Sequence, residues 1–166
     1  MGTKELEKLL ETVRAWIISA DQKISIGLVL EAATVSIIAK PTFDLLTRGD
    51  SKPSILALAL LVGSVILLMY GLTKLLMAVS PRTSLGPKKS HIYFGSIAQL
   101  SNKDFRKKIK ALSAVNYKDE LIDQIHITSK ISKKKHSHYK DAVGLFLAGL
   151  VVWLLFVVEV ARLTHG

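Results

Sequence analysis

The stretch Pro53 to Val79, PSILALALLVGSVILLMYGLTKLLMAV, is apolar on every helical face and holds one ionisable residue, Lys74. A helix of this length rises roughly 40 Å, more than the ~30 Å hydrocarbon core of a bilayer. A soluble domain has no interior long enough for a helix that is apolar all round. The stretch therefore reads as a membrane span, and the rest of the chain sorts into what lies in, beside or across the membrane.

Two further runs qualify. Ile24 to Ala39 is a short span, about 24 Å of helix, which sets Gln22 and Lys23 close to the lipid surface and leaves Glu31 well inside. Ala142 to Val160, AVGLFLAGLVVWLLFVVEV, is the third. The fold class expected is an all-α membrane protein: three transmembrane helices, an amphipathic N-terminal helix, and a helical cytoplasmic segment between spans two and three. The boundaries expected are 1–23 for the amphipathic helix, 24–40 for the first span and 41–52 for a periplasmic loop. The second span takes 53–79, the basic helical segment 80–141, the third span 142–160 and a periplasmic tail 161–166.

Charge gives the orientation. The chain carries 23 Lys and Arg against 13 Asp and Glu. Fourteen of the bases fall in 80–141, whereas the loop before the second span has Arg48 and Lys52. Positively charged loops stay in the cytoplasm. This places the amino terminus and the long segment inside, and the carboxyl terminus outside. No cysteine is present, so neither a disulfide nor a thiolate metal site is available. Glu5, Glu7 and Glu11 interrupt the first residues, and no small-residue cleavage signal follows. No removable signal peptide is therefore expected.

Leu6, Leu9, Leu10, Val13, Trp16, Ile17 and Ala20 fall at three- and four-residue steps and make one apolar stripe. Trp16 suits a headgroup position, although an ordinary helix packing on its own protein explains the same stripe. Lys40-Pro41 is expected to end the first span. Glu31 and Lys74 lie at comparable depth, roughly 8–12 Å in from the same side. They form an ion pair, or Lys74 reaches back to the interface, or the two belong to a polar pathway. Pro81, Gly86 and Pro87 break the second helix. Ser101-Asn102-Lys103-Asp104 is a helix-start signal, and Leu121, Ile125 and Thr128 mark a second stripe. No proline or paired glycine separates Tyr117 from the third span, so one helix can run through both. Glu159 and Arg162 are spaced to pair near the far surface.

Motifs for catalysis are absent: no catalytic residues and no metal site are expected. His136-x-His138 sits in a lysine-rich stretch where solvation suffices, and Asp21 and Asp141 have no nucleophile between them. The basic segment fits anionic lipid, at ~1 kcal/mol per base, or a small phosphate ligand. Nucleic acid is disfavoured because aromatics do not alternate with the bases. Composition leaves the first two open.

Several cytoplasmic patterns share an order. Trp16-x4-Asp21-Gln22-Lys23 stands at the start of the first span, and Ile92-Tyr93-Phe94-Gly95 with Ile97 follows the second. Tyr117-x2-Glu120-Leu121-x2-Gln124-Ile125 then leads to Ser129-Lys130-Ile131 and Tyr139-Lys140-x-Ala142. In this order the chain resembles the transmembrane effectors of the Pycsar anti-phage defence systems. The resemblance implies a non-enzymatic effector of the bacterial inner membrane, without a cofactor and working beside a partner pyrimidine cyclase. That cyclase makes cyclic CMP or cyclic UMP on infection, and the effector then impairs the membrane in abortive infection. Many such sensors carry a β-roll nucleotide domain, which this sequence lacks. Direct binding would fall to the helical part, across an oligomer interface. There the phosphate would meet Lys23, His91, Lys130 or Lys134, and the base edge Gln22, Gln124 or Tyr93. A homo-oligomer is expected, with Gly144-x3-Ala148 and Ala57-x-Ala59 offering close helix contacts. The competing classes are a constitutive holin-like pore former and a membrane-anchored scaffold.

Overall fold

The computed structural model describes residues 1–47, 54–80, 90 and 92–165. Among these the chain is helical without strands. The elements are α1 (Thr3–Thr47), α2 (Ile55–Val79), α3 (Phe94–Ile97), α4 (Asn102–Ala111) and α5 (Ala114–His165). Three of them, α1, α2 and α5, are long and apolar enough to cross a membrane. The expected amphipathic helix and first span are one continuous α1, and the part of the basic segment from Ala114 onward runs unbroken into the third span as α5. Hydrogen bonding continues because neither junction holds a residue that breaks the ladder.

Two compact units form, and α1 and α5 each contribute to both. The first comprises Met1–Asp21 and Ser80–His136; the second comprises Gln22–Val79 and Ser137–Gly166.

In the first unit Leu6 and Leu10 of α1 bury against Leu121 of α5, with Ile92, Tyr117 and Ile125 packed around them. Val13 and Ala20 continue the buried stripe, while Leu9 and Trp16 fall outside it. Ser101 caps α4, its hydroxyl accepting from the Asp104 N–H at 3.2 Å. Ser113 does the same for α5, accepting from the Asn116 N–H at 3.2 Å. Each cap satisfies one of the amide groups a helix start leaves unpaired.

The second unit is a three-helix bundle. Ile24 of α1 packs with Leu75 and Ala78 of α2 and Ala142 of α5 in one cluster. Ala57 of α2 meets Phe156 and Val160 of α5 in another. The pairing of early with late residues makes α2 antiparallel to α5, and the Ile24–Leu75 contact makes it antiparallel to α1. Outward-facing Ile26, Val29, Val62, Ile66, Val151 and Val158 are all exposed on the chain, as expected of surfaces that meet lipid rather than water. Helices α2 and α5 approach closely at Gly149. A Cβ there would stand 3.0 Å from Leu68 Cγ and Cδ2.

The expectation that Lys40-Pro41 ends the first span is corrected. Helix α1 passes through Pro41 and continues to Thr47, so the first half of the expected 41–52 loop is helical. Proline removes one backbone donor. The adjacent turn is held by side chains instead: Thr42 Oγ1 donates to the Ile38 carbonyl at 2.6 Å and accepts from Trp153 Nε1–H at 2.9 Å. Such substitutes are how packed membrane helices keep a proline. Pro81, Gly86 and Pro87, and the bases Arg48 and Lys52, lie outside the described residues.

The Gly149 contact makes a direct prediction. Gly149→Val should destabilise the bundle by about 1–3 kcal/mol through overpacking, read by unfolding in detergent. Gly144→Ala, where a Cβ meets nothing within 4 Å, should leave stability unchanged. Equal stability of all three proteins would show that α2 and α5 do not meet through Gly149.

Candidate functional site

Polar residues in the first unit are ordered by the face of α5 that carries Tyr117, Glu120, Leu121, Gln124 and Ile125. Steps of three and four place these side chains in one row. The row explains the motif. Leu121 and Ile125 supply core. Tyr117 donates its hydroxyl hydrogen to Glu7 Oε1 at 2.9 Å. Glu120 Oε2 accepts from the Ser90 hydroxyl at 3.1 Å. Buried Ser90 in turn accepts from the Ile92 and Tyr93 amides at 3.2 and 3.1 Å, fixing the start of α3 against α5. Gly95 completes this turn, since a Cβ would come 2.7 Å from Tyr93 Cε1. Ser90 was not singled out in the sequence, and Glu7 and Glu120 were named there without these partners; a serine two and three residues before the amides it accepts from is the local signal for Ser90.

The nominated ligand residues separate. Gln22 and Lys23 are exposed in the second unit. His91 lies outside the described residues. Tyr93 is half-buried beside Gly95, at the level of Glu120. Gln124 is buried, and its Nε2 has no hydrogen-bond partner among the described residues. Lys130 and Lys134 are exposed on α5, roughly 15 and 20 Å of helix beyond Glu120. Tyr93 and Lys134 are therefore too far apart to share one mononucleotide.

A different group converges. Trp16 of α1 and Ser129, Ser132, Lys133 and His136 of α5 line a cavity of about 420 Å³. Trp16 is 53% exposed, so its ring face is available. His136 Nδ1 lies 3.0 Å from the Ser132 carbonyl; donating there leaves Nε2 for another partner. The neighbouring Lys135 forms an ion pair with Asp21. That pair sets α1 against α5 beside Trp16. Of the Lys133–Lys135 run, one lysine is structural and two remain exposed. Chemically the cavity offers an aromatic face, a cation, an imidazole and hydroxyls.

Within the second unit the expected Glu31–Lys74 pair is not formed. Lys74 Nζ lies 3.8 Å from Asp141 Oδ2 and 5.2 Å above the Tyr70 ring centroid. Asp141, on α5, can serve because it lies where that helix enters the bundle. Glu31 is buried with neither oxygen hydrogen-bonded among the described residues. The expected Glu159–Arg162 pair also gives way, with Glu159 Oε1 accepting from Ser54 Oγ at 3.4 Å. Among the described residues no cluster of His, Cys, Asp and Glu is arranged to hold a metal ion.

The architecture and the basic helical unit define a three-span, all-helical membrane protein. A family model described as the Pycsar effector protein domain matches residues 5–160, taking in all three spans and the whole basic segment. The chain belongs to this family of anti-phage defence effectors. No curated protein and no solved structure matches it.

The Tyr117–Glu7 bond yields a pH prediction. Hydrogen bonding to the Glu7 carboxylate, reinforced by burial, holds the Tyr117 phenol above the ordinary tyrosine range. The folded value is the higher one. Its contribution to stability is therefore complete below about pH 10 and is lost as pH rises through the folded value. Ultraviolet titration should show one late-ionising tyrosine, which Glu7→Gln returns to the ordinary range. An unchanged titration would refute the bond.

Proposed function

We propose that the protein is a messenger-gated effector that impairs the bacterial inner membrane during infection, activated by cyclic CMP or cyclic UMP from a partner cyclase. The observation that carries this reading is the family match over residues 5–160. It acts as a non-enzymatic device whose output is membrane permeability and abortive infection.

The messenger binds the helical first unit. The Trp16 cavity suits it best: base stacking on an aromatic ring contributes about 1–3 kcal/mol, and Lys133 and His136 meet the cyclic phosphate with charge-assisted hydrogen bonds. Lys130 and Lys134 add positive potential from the same helix. Gln124 and Tyr93 read the base edge only if the ligand lies further along α5; His91, Gln22 and Lys23 complete the set to be tested. Binding shifts the balance between two states only through unequal affinity for them. The continuous helices α1 and α5 carry that bias into the spans. Exposed Gly144 and Ala148 allow the close approach of a second copy.

The amino terminus and basic segment face the cytoplasm, and the carboxyl terminus the periplasm. The absence of native cysteine makes this simple to test. In intact cells Thr47→Cys should react with an impermeant maleimide, and Lys103→Cys should react only after permeabilisation. The reverse pattern would invert the topology.

Calorimetric titration of detergent-purified protein should give heat with cyclic CMP or cyclic UMP and none with cyclic AMP. Trp16→Ala and Lys133→Ala should each weaken binding at least about fivefold, the loss of ~1 kcal/mol. Cells making both the protein and a pyrimidine cyclase should depolarise. No heat with any cyclic nucleotide ends the direct-sensor reading, and depolarisation without a cyclase identifies a constitutive pore former instead.

A further inference from the structure

Among the described residues one acid of the spans is buried with no cation beside it, and the Leu72 backbone N–H approaches its carboxyl without meeting hydrogen-bond geometry. Glu31 is 4% exposed, and both its carboxyl oxygens lack a hydrogen-bond partner among the described residues. Its niche is shaped for it. A Cβ at Gly71 would stand 3.3 Å from Glu31 Oε1 and 3.4 Å from the Ala142 carbonyl oxygen. Glycine at 71 thus gives the carboxyl its room between α2 and α5.

The niche opens into a cavity of about 210 Å³, lined by Glu31, Leu30, Leu75, Tyr139, Phe146 and Leu147 among others. Leu30 and Leu147 are exposed at its rim, so the opening faces lipid. The ionisable groups on the packed elements are few. On α2 and α5, Lys74 and Asp141 are engaged with each other. Tyr139 contributes its ring to the lining. His138, one turn before Ala142, has an interaction of its own. Lys140 lines the separate cavity of Lys74 and Asp141.

We propose that Glu31 is a reversible proton-binding site within the membrane, reached from lipid through this cavity. An unpaired charge at that depth costs several kcal/mol, and ionisable residues persist there when they are used. A hard metal ion takes six or more oxygen ligands. The niche offers a carboxyl and one carbonyl amid hydrocarbon, too few for a metal ion, whereas a proton needs one lone pair.

The site is tested with the full chain in vesicles of phosphatidylethanolamine and phosphatidylglycerol, treated with dicyclohexylcarbodiimide and no nucleotide. This apolar reagent takes the proton of a neutral carboxyl as the carboxyl oxygen adds to its central carbon. The resulting O-acylisourea rearranges to a stable N-acylurea, so the whole reagent mass is added and nothing leaves. Peptide mass spectrometry should place the adduct on Glu31. Labelling should fall about tenfold per pH unit once the acid is mostly ionised, should disappear in Glu31→Gln, and should be the same in sodium as in choline chloride. A Glu31 that stays unlabelled, labelling indifferent to pH, or protection by sodium would each overturn the assignment. Because no messenger is present, the result stands apart from the fate of the nucleotide reading, and wild-type mapping decides it even if Glu31→Gln fails to assemble.

Discussion

Hydrocarbon offers no hydrogen bonds, so every polar group carried into it must find its partner within the protein. The three long helices settle this for the backbone. Hydroxyls on the spans follow the same rule by bonding back onto their own helix: Ser36 to the Ala32 carbonyl, Ser64 to Leu61 and Thr73 to Met69. Larger polar groups are paired across helices. Trp153 donates to Thr42, Ser54 to Glu159, and Lys74 is engaged by Asp141 and the Tyr70 ring. These cross-links accompany the apolar clusters at both ends of the bundle, so specificity and solvation are met by the same contacts. Glu31 departs from the rule, which is why it stands out.

The spans were legible in the sequence because length and uniform apolarity have no other physical use. The helix-start at Ser101 was equally plain, since a serine three residues before an acid carries its own geometry. Pro41 was misread for a reason that lies outside local sequence. The turn beside it is tied by Thr42, which bonds to Ile38 and to Trp153, 111 residues away. Local rules count the lost donor and see nothing of the distant indole. The Glu31–Lys74 expectation failed similarly. Depth along each helix can be counted from sequence, but azimuth cannot, and azimuth turned Lys74 toward Asp141.

The candidate site was less legible still. Tyr117, Glu120, Leu121, Gln124 and Ile125 stood in the sequence as a motif, and in the structure they form a row that combines packing with hydrogen bonds that order the segment around Ser90. Conspicuous spacing therefore marked a structural seam. The aromatic and basic residues that share a cavity, Trp16 with Lys133 and His136, come from helices more than a hundred residues apart. The Asp21–Lys135 ion pair ties α1 to α5 there. One lysine of a three-residue run is thereby structural, and charge counting alone assigns all three to solvent or lipid.

The three-helix bundle holds few polar contacts and, among the described residues, one buried acid whose carboxyl oxygens have no hydrogen-bond partner. A shift that altered the Gly71 niche would change what Glu31 faces. In a membrane that change is amplified: the same displacement that costs almost nothing in water alters a buried carboxyl's surroundings by several kcal/mol. The close fit of Gly71 around the Glu31 carboxyl thus makes small motions within the bundle consequential.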